Sequence, residues 1–262
     1  VMTTIKTLHE LKNRSEKFPV ITGYDASFSR LIENAGIEVI LVGDSLGNVI
    51  QGHNTTIPTT INDMIYHTEA VRRGSSKLFV IADLPFMAFS REEQSLDNSA
   101  LLIRAGANMV KLEGGAWLCK TVRMLSERGI SVCGHLGLTP QSVHKLGGNK
   151  VQGRSKESEE RIMQDAMLLE EAGIDLLVLE CIPSMLAAKI TNKLKIPVIG
   201  IGAGADTDAQ VLVIYDMLGL SLHMPKFCKN FLNDASDIEG ALRSYAEDVR
   251  SKKFPSQKNS FS

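Results

Sequence analysis

Eight times along this chain a short, continuously apolar, β-branched run gives way to a longer stretch of helical period, and nothing else in the sequence restricts the fold as strongly. Runs of that kind are how strands read when a parallel sheet is buried on both faces. They are Phe18–Thr22, Glu38–Val42, Leu78–Ala82, Asn108–Leu112, Ile130–Gly134, Asp175–Leu179 and Ile196–Ile199, with the weakest, an eighth, near Met217–Leu220. Between them lie helical stretches at Ala26–Ala35, Thr60–Arg73, a segment ending at Arg104, Trp117–Arg128, Lys156–Ala172, Pro183–Leu194 and Asp208–Asp216. A short helix over 4–16 with Thr4 as its cap precedes them, and 226–250 holds one or two more. Ala35-Gly36, Ala105-Gly106 and Ala172-Gly173 stand just before strands, where Gly adopts the left-handed cap that turns the chain back toward the sheet. Each unit takes roughly 33 residues, the length of one repeat of a (β/α)8 TIM barrel. An open doubly wound sheet shows the same alternation, but the length and the eighth unit favour the barrel. The expectation is one domain over 1–262, with a frayed tail at about 252–262, where Lys, Ser and Gln dominate.

With 29 basic and 30 acidic residues, the chain has no electrostatic reason to bind nucleic acid or an anionic membrane. No apolar leader and no run of about 18 apolar residues is present, which predicts a soluble, cytoplasmic protein. Cys119, Cys133, Cys181 and Cys228 lie far apart, so neither a zinc site nor a disulfide framework is expected.

Two glycine motifs are decoys. Gly200-Ile201-Gly202-Ala203-Gly204-Ala205 fits a loose dinucleotide pattern, but it sits late in the chain with no acidic strand end after it. It suits the seventh strand-to-helix loop of a barrel, a place that often offers backbone N–H groups to anions. Gly148-Asn149-Lys150-Val151-Gln152-Gly153-Arg154-Ser155 falls one residue short of a phosphate loop and follows no apolar strand. A basic surface loop over Val143–Ser155, able to act as a lid, is the expectation.

Four runs end in a carboxylate: Asp44, Asp83, Glu113 and Glu180. In α/β enzymes the C-terminal ends of strands carry the chemistry. Asp44, Asp83 and Glu113 come from successive strands and can hold a hard cation such as Mg2+ directly or through water. Each alone can equally be a helix cap or a loop hydrogen-bond acceptor. Lys111, two residues before Glu113, shares its side of the strand and can neutralise the carboxylates or bind a substrate carboxylate. Ser45 and His135 add polar groups at strand ends, His135 as a supporting residue. Glu180, across the barrel, suits proton abstraction beside a polarised carbonyl. Together these residues fit enolate chemistry on a 2-oxo acid.

The same stretches resemble the ketopantoate hydroxymethyltransferase family nearly end to end. The resemblance rests on Val42-Gly43-Asp44-Ser45-Leu46-Gly47, Ala82-Asp83-Leu84-Pro85-Phe86-Met87, Val110-Lys111-Leu112-Glu113-Gly114-Gly115, Gly134-His135-Leu136-Gly137-Leu138-Thr139-Pro140-Gln141, Leu179-Glu180-Cys181 and Pro225-Lys226-Phe227. It implies a (β/α)8 barrel that uses Mg2+ and 5,10-methylenetetrahydrofolate to hydroxymethylate 3-methyl-2-oxobutanoate, giving 2-dehydropantoate for pantothenate biosynthesis. It further implies Asp44, Asp83 and Glu113 at the metal, Asp44, Ser45, Asp83 and Lys111 on the oxo acid, and Glu180 as proton acceptor. A homodecamer built as a pentamer of dimers, with terminal helices exchanged between subunits, belongs to the same set of expectations. Ala209 stands where the family pattern often has Gly and Leu222 where Gly is expected, and both put the late loops and folate contacts in question. The alternative is a phosphoenolpyruvate mutase or isocitrate-lyase-like enzyme, which acts on 2-oxo acids without folate.

Overall fold

The computed structural model describes residues 2–262. Eight parallel strands close into a barrel in simple sequence order: β1 Phe18–Thr22, β2 Val39–Val42, β3 Phe79–Asp83, β4 Met109–Glu113, β5 Val132–Gly137, β6 Leu176–Glu180, β7 Val198–Ile201 and β8 Ala209–Leu212. Around and between them run α1 Ile5–Asn13, α2 Ala26–Asn34, α3 Leu46–Val49, α4 Ile61–Gly74, α5 Glu92–Arg104, α6 Cys119–Glu127, α7 Val143–Leu146, α8 Lys156–Ala172, α9 Ser184–Lys193, α10 Ile214–Met217 and α11 Ile238–Arg250.

Strand alternation sorts the core into two layers. Val20, Leu41, Ile81, Met109, Cys133, Val178, Ile199 and Val211 fill the barrel interior, and Leu8 of α1 joins them. Their neighbours Ile21, Ile40, Val80, Val110, Leu177 and Leu212 face outward under the helices. Helix ends follow local chemistry. The Thr4 hydroxyl accepts from Thr7 N at the start of α1, the Asp25 carboxylate accepts from Ser27 N and Phe28 N before α2, and Gly173 closes α8 in the left-handed region at φ +112°. Where the barrel shuts between β1 and β8, the buried Tyr245 hydroxyl of α11 lies 2.8 Å from Val20 O and 3.0 Å from Gln210 O. α11 therefore packs against this chain's own barrel.

Two sequence expectations need correction. Strand eight is Ala209–Leu212, not Met217–Leu220, and the span 208–216 holds that strand and the start of the short helix α10 rather than one helix. Ala209 pairs with Phe18 of β1 and Ile199 of β7, so this short segment is what closes the barrel. The tail at 252–262 is tied down rather than frayed. Phe254 is buried against Phe231 and Tyr245, and residues 256–261 hydrogen-bond to the barrel's edge. Ala209 is buried at the start of β8, where its carbonyl accepts from the Thr207 hydroxyl of the preceding loop at 2.8 Å, whereas Leu222 is almost fully exposed. Among the described residues no helix is long and apolar enough to cross a membrane.

Candidate active site at the C-terminal mouth of the barrel

The inward alternation that fills the interior with apolar side chains continues, at the C-terminal ends of four strands, into polar ones. Ile81 is followed inward by Asp83, Met109 by Lys111 and Glu113, Cys133 by His135, and Val178 by Glu180. Strand register sets Asp83 beside Lys111 and Glu113 beside His135. Asp44 and Ser45 enter from the turn after β2. Asp44, Ser45, Asp83, Lys111, Glu113, His135 and Glu180 line one cavity of about 670 Å3, and Gly200–Ala205, read as the seventh loop, contributes its edge at Ile201.

The cluster is buried, and its charges interlock. Lys111 Nζ lies 3.2 Å from Asp83 Oδ1 and 3.7 Å from Glu113 Oε1, and 3.1 Å from His135 Nδ1. Glu113 Oε1 is also 3.4 Å from His135 Nδ1, so two cationic groups share one carboxylate oxygen. His135 Nε2 approaches Glu180 Oε2 to 3.1 Å, and the Glu180 side chain remains 14% exposed toward the cavity. Gly137, at φ +93° beside Glu180, is obligatory, because a Cβ there would stand 2.2 Å from the Glu180 carbonyl oxygen.

Protonation follows from that packing. Burial, reinforced by Asp83 and Glu113, holds the Asp44 carboxyl well above its ordinary range. Burial likewise raises Asp83, although Lys111 and the Asp44 N–H oppose it. For Glu113 burial pushes upward too, but the His135 hydrogen bond, the His135 and Lys111 charges and a backbone N–H outweigh it, leaving a lowered pKa. Burial works against the Lys111 ammonium, yet Asp83, Glu113 and Asp44 keep it above the usual lysine value. Burial and Lys111 press His135 down, whereas Glu113 and Glu180 lift it to about 9.

Gln141 belongs to this site although sequence reading gave it no role. Its Nε2 donates to Asp44 Oδ2 at 2.9 Å and to Leu84 O at 3.0 Å, and its backbone N donates to Glu113 Oε2 at 3.0 Å. Tyr24, whose hydroxyl is 2.8 Å from Ser45 Oγ, is a second such residue. Both lie outside the strands, on loops where residue spacing carries no orientation. Pro140-Gln141, opening a short turn after β5, was the only available hint.

Asp44 and Asp83 offer oxygen donors of the kind a hard cation takes. Asp83 Oδ2 accepts from Asp44 N at 2.9 Å, but its buried Oδ1 makes no hydrogen bond, Lys111 approaching it out of line. An orphaned buried carboxylate oxygen facing a cavity fits a cation or a donor from a ligand. No three His, Cys, Asp or Glu side chains gather as a protein-only cage among the described residues. Mg2+ typically takes one or two carboxylates and completes its shell with water and substrate oxygens, so the donor set fits that ion. The Val143–Ser155 loop borders the cavity through Val143, Asn149 and Val151, and Gln152 N donates to Cys181 O at 2.9 Å.

Residues 2–257 match the family model described as ketopantoate hydroxymethyltransferase. The chain is 57% identical over 258 residues to the 3-methyl-2-oxobutanoate hydroxymethyltransferase of Photorhabdus laumondii subsp. laumondii, covering 98% of each. It is 55% identical over 260 residues to that of Erwinia tasmaniensis, covering 99% of this chain and 98% of the relative. Among solved structures it is similar in fold to a phosphonopyruvate hydrolase, with a TM-score of 0.63 at 13% identity over 98% of this chain and 93% of that one. Phosphoenolpyruvate phosphomutase from Streptomyces platensis subsp. rosaceus superposes with a TM-score of 0.63 at 12% identity, over 83% of both chains.

Proposed function

The chain belongs to the ketopantoate hydroxymethyltransferase family, and on that footing we propose that it transfers a hydroxymethyl group from 5,10-methylenetetrahydrofolate to 3-methyl-2-oxobutanoate, forming 2-dehydropantoate. The observation that carries the chemistry is the buried row Asp83, Lys111, Glu113 and His135, ending at the cavity-facing Glu180. The mutase-like alternative shares only the fold at 12–18% identity.

Glu180 takes the proton from C-3 of the oxo acid, and the His135 imidazole, its Nε2 3.1 Å from Oε2 but out of hydrogen-bond line, stands beside the carboxylate as its charge partner. The electron pair released at C-3 delocalises toward the keto oxygen. Lys111 and Ser45 hold the substrate's oxygens, and the permanent Lys111 charge favours the negative charge that develops there. C-3 then bonds to the methylene carbon as the first of its two C–N bonds to the folate breaks, water displaces the second nitrogen and supplies the hydroxyl oxygen, and the protons from Glu180 and from that water pass to the two nitrogens of the departing tetrahydrofolate. Asp44 and Asp83 are the residues that would hold Mg2+, Glu113 contributing through water, and the bound ion would supply Lewis-acid polarisation of the keto oxygen.

We place the enzyme in the cytoplasm as a homodecamer, a pentamer of dimers. Exposed Phe86, Met87 and Trp117, the last stacked on Phe89 at 6.1 Å, support burial against another copy. Sedimentation at a tenth of a micromolar tests the assembly, and a monomer there overturns it. For the activity, the chain is incubated with both substrates, with and without Mg2+, and product is read by mass. Product that forms without the folate, or no product at all, refutes the assignment. Glu180→Gln is expected to bind the oxo acid but to lose exchange of its C-3 proton with deuterated water; unchanged exchange removes Glu180 from the role of base.

A further inference from the structure

The cavity has two chemically different ends. The polar row fills its floor, which suits a small oxo acid. Beyond β6–β8 the lining includes the apolar and aromatic side chains Ile201, Val213, Phe227 and Phe261, with the polar groups of Asp216, Ser221, His223 and Lys226 among them. Phe261 is the unexpected member, because it lies in the stretch whose composition reads as a loose tail.

Its position is built by several contacts. Ser184 N, at the start of α9, donates to Phe261 O at 2.9 Å, so the tail satisfies an N–H that a first helical turn leaves free. Lys226 Nζ donates to Ser260 O at 3.0 Å and stands 5.1 Å from the Phe261 ring centroid. Asn259 Nδ2 donates to Cys228 O at 2.9 Å. Gly202, in the left-handed region at φ +61°, lets the seventh loop approach both rings. A Cβ there would stand 3.0 Å from Phe227 and 3.1 Å from Phe261. The loop, the Pro225–Phe227 segment and the tail thus make one wall.

We propose that Phe261, which lines the cavity together with Phe227, is a binding and specificity residue for the flat heterocyclic ring of the folate co-substrate, which packs on this aromatic wall while the oxo acid occupies the polar floor. The inference rests on the reading above for the identity of the second substrate. A cavity of about 670 Å3 is far larger than the oxo acid needs, and Phe227 and Phe261 are the aromatic side chains in its lining. Planar nitrogen heterocycles stack on aromatic side chains with little directional demand, whereas the small acid carries no ring to place there. Lys226, held over the outer wall, adds a positive charge within reach of an anionic tail on the same co-substrate.

The test is steady-state kinetics of Phe261→Ala and Phe261→Tyr, with calorimetric titration of tetrahydrofolate as an independent readout. The expected result for Phe261→Ala is a KM for methylenetetrahydrofolate, and a Kd for tetrahydrofolate, raised about tenfold, the size of one lost ring-stacking contact. The KM for the oxo acid should move less than about twofold, and Phe261→Tyr should restore the folate values. Folate constants unchanged in Phe261→Ala, or both KM values rising together, overturn the proposal. Should Phe261→Ala fail to fold, Phe261→Leu keeps the bulk and removes the flat face. A wild-type folate KM in that variant is then the refuting result. A wild-type enzyme that needs no folate refutes the underlying reading instead, so the two failures are distinguishable.

Discussion

Lys111→Met asks whether the buried ammonium holds the carboxylate cluster together. Methionine keeps the length and most of the volume and removes the charge. At an effective dielectric of about 20, contacts of 3.2 Å to Asp83 and 3.7 Å to Glu113 are attractions of about 5 and about 4 kcal/mol before desolvation. The cost of burying the ammonium offsets much of that gain, and removing one partner of a buried pair typically costs about 3–5 kcal/mol. For a chain of this size the loss corresponds to a melting point lower by about 10 °C. The pH dependence separates this cause from poor packing. Asp44 and Asp83 have raised pKa values in the folded state, so the folded chain holds more protons above the ordinary carboxylate range. Stability associated with them is therefore present at low pH and is lost as pH rises through their folded values. Without Lys111 those values climb further. The deficit of the variant should therefore be larger at high pH and shrink on acidification, by about 1.4 kcal/mol for each unit of added pKa rise relieved. Urea titrations followed by circular dichroism, with metal removed by chelator, measure it. A deficit below about 1 kcal/mol at pH 8, or one that grows on acidification, refutes the electrostatic account.

Mg2+ at a hundred times its Kd should stabilise the wild-type fold by about 2.7 kcal/mol in the same titration, and Asp83→Asn should abolish that gain; an unchanged gain removes Asp83 from the metal site. Gln141→Leu leaves both carboxylates in place and keeps the backbone N–H on Glu113 Oε2, but it strips Asp44 Oδ2 of its side-chain donor, and Mg2+ affinity by calorimetry should fall about 10–100-fold. His135, with its pKa raised to about 9, contributes stability that is complete below about 6.5 and is lost as pH rises through 9. His135→Asn should therefore flatten the decline in unfolding free energy between pH 6.5 and 9, and an unaltered slope would show that the imidazole is neutral in the folded chain.

Seven strands were legible because each is a short apolar run bounded by turn residues, a pattern set by local sequence. β8 was not. Ala209-Gln210-Val211-Leu212 runs without a break into Val213-Ile214, and Asp208 looks like a helix cap at the head of that stretch. In the fold, Asp208 Oδ2 instead accepts from Val198 N at 2.8 Å and from Lys12 Nζ at 2.7 Å, bracing the start of β7 against α1. Only tertiary closure decides between those two uses of one carboxylate. The tail misled for the opposite reason. Its polar composition is that of a loose end, but its order comes from Ser184, Lys226 and Cys228, which are remote in sequence.

The carboxylates show where pattern stops and geometry takes over. In sequence Asp44, Asp83 and Glu113 are equivalent, each ending an apolar run. In the fold they are not. Glu113 has one oxygen on the Gln141 N–H and the other between His135 and Lys111, and its pKa is lowered, so it is a saturated, ionised partner of the two cations. Asp83 has an orphaned oxygen, and Asp44 leaves Oδ1 clear of the Gln141 bond that engages Oδ2. Both also sit above their ordinary pKa values, which means that a divalent cation arriving there displaces protons as well as water. Mg2+ affinity should accordingly rise with pH over the range in which Asp44 and Asp83 lose those protons, with proton release measurable by calorimetry in buffers of different ionisation enthalpy. Glu113→Gln should leave that proton release in place, whereas Asp44→Asn should reduce it. Proton release lost with Glu113 and kept without Asp44 would assign the direct ligand the other way round.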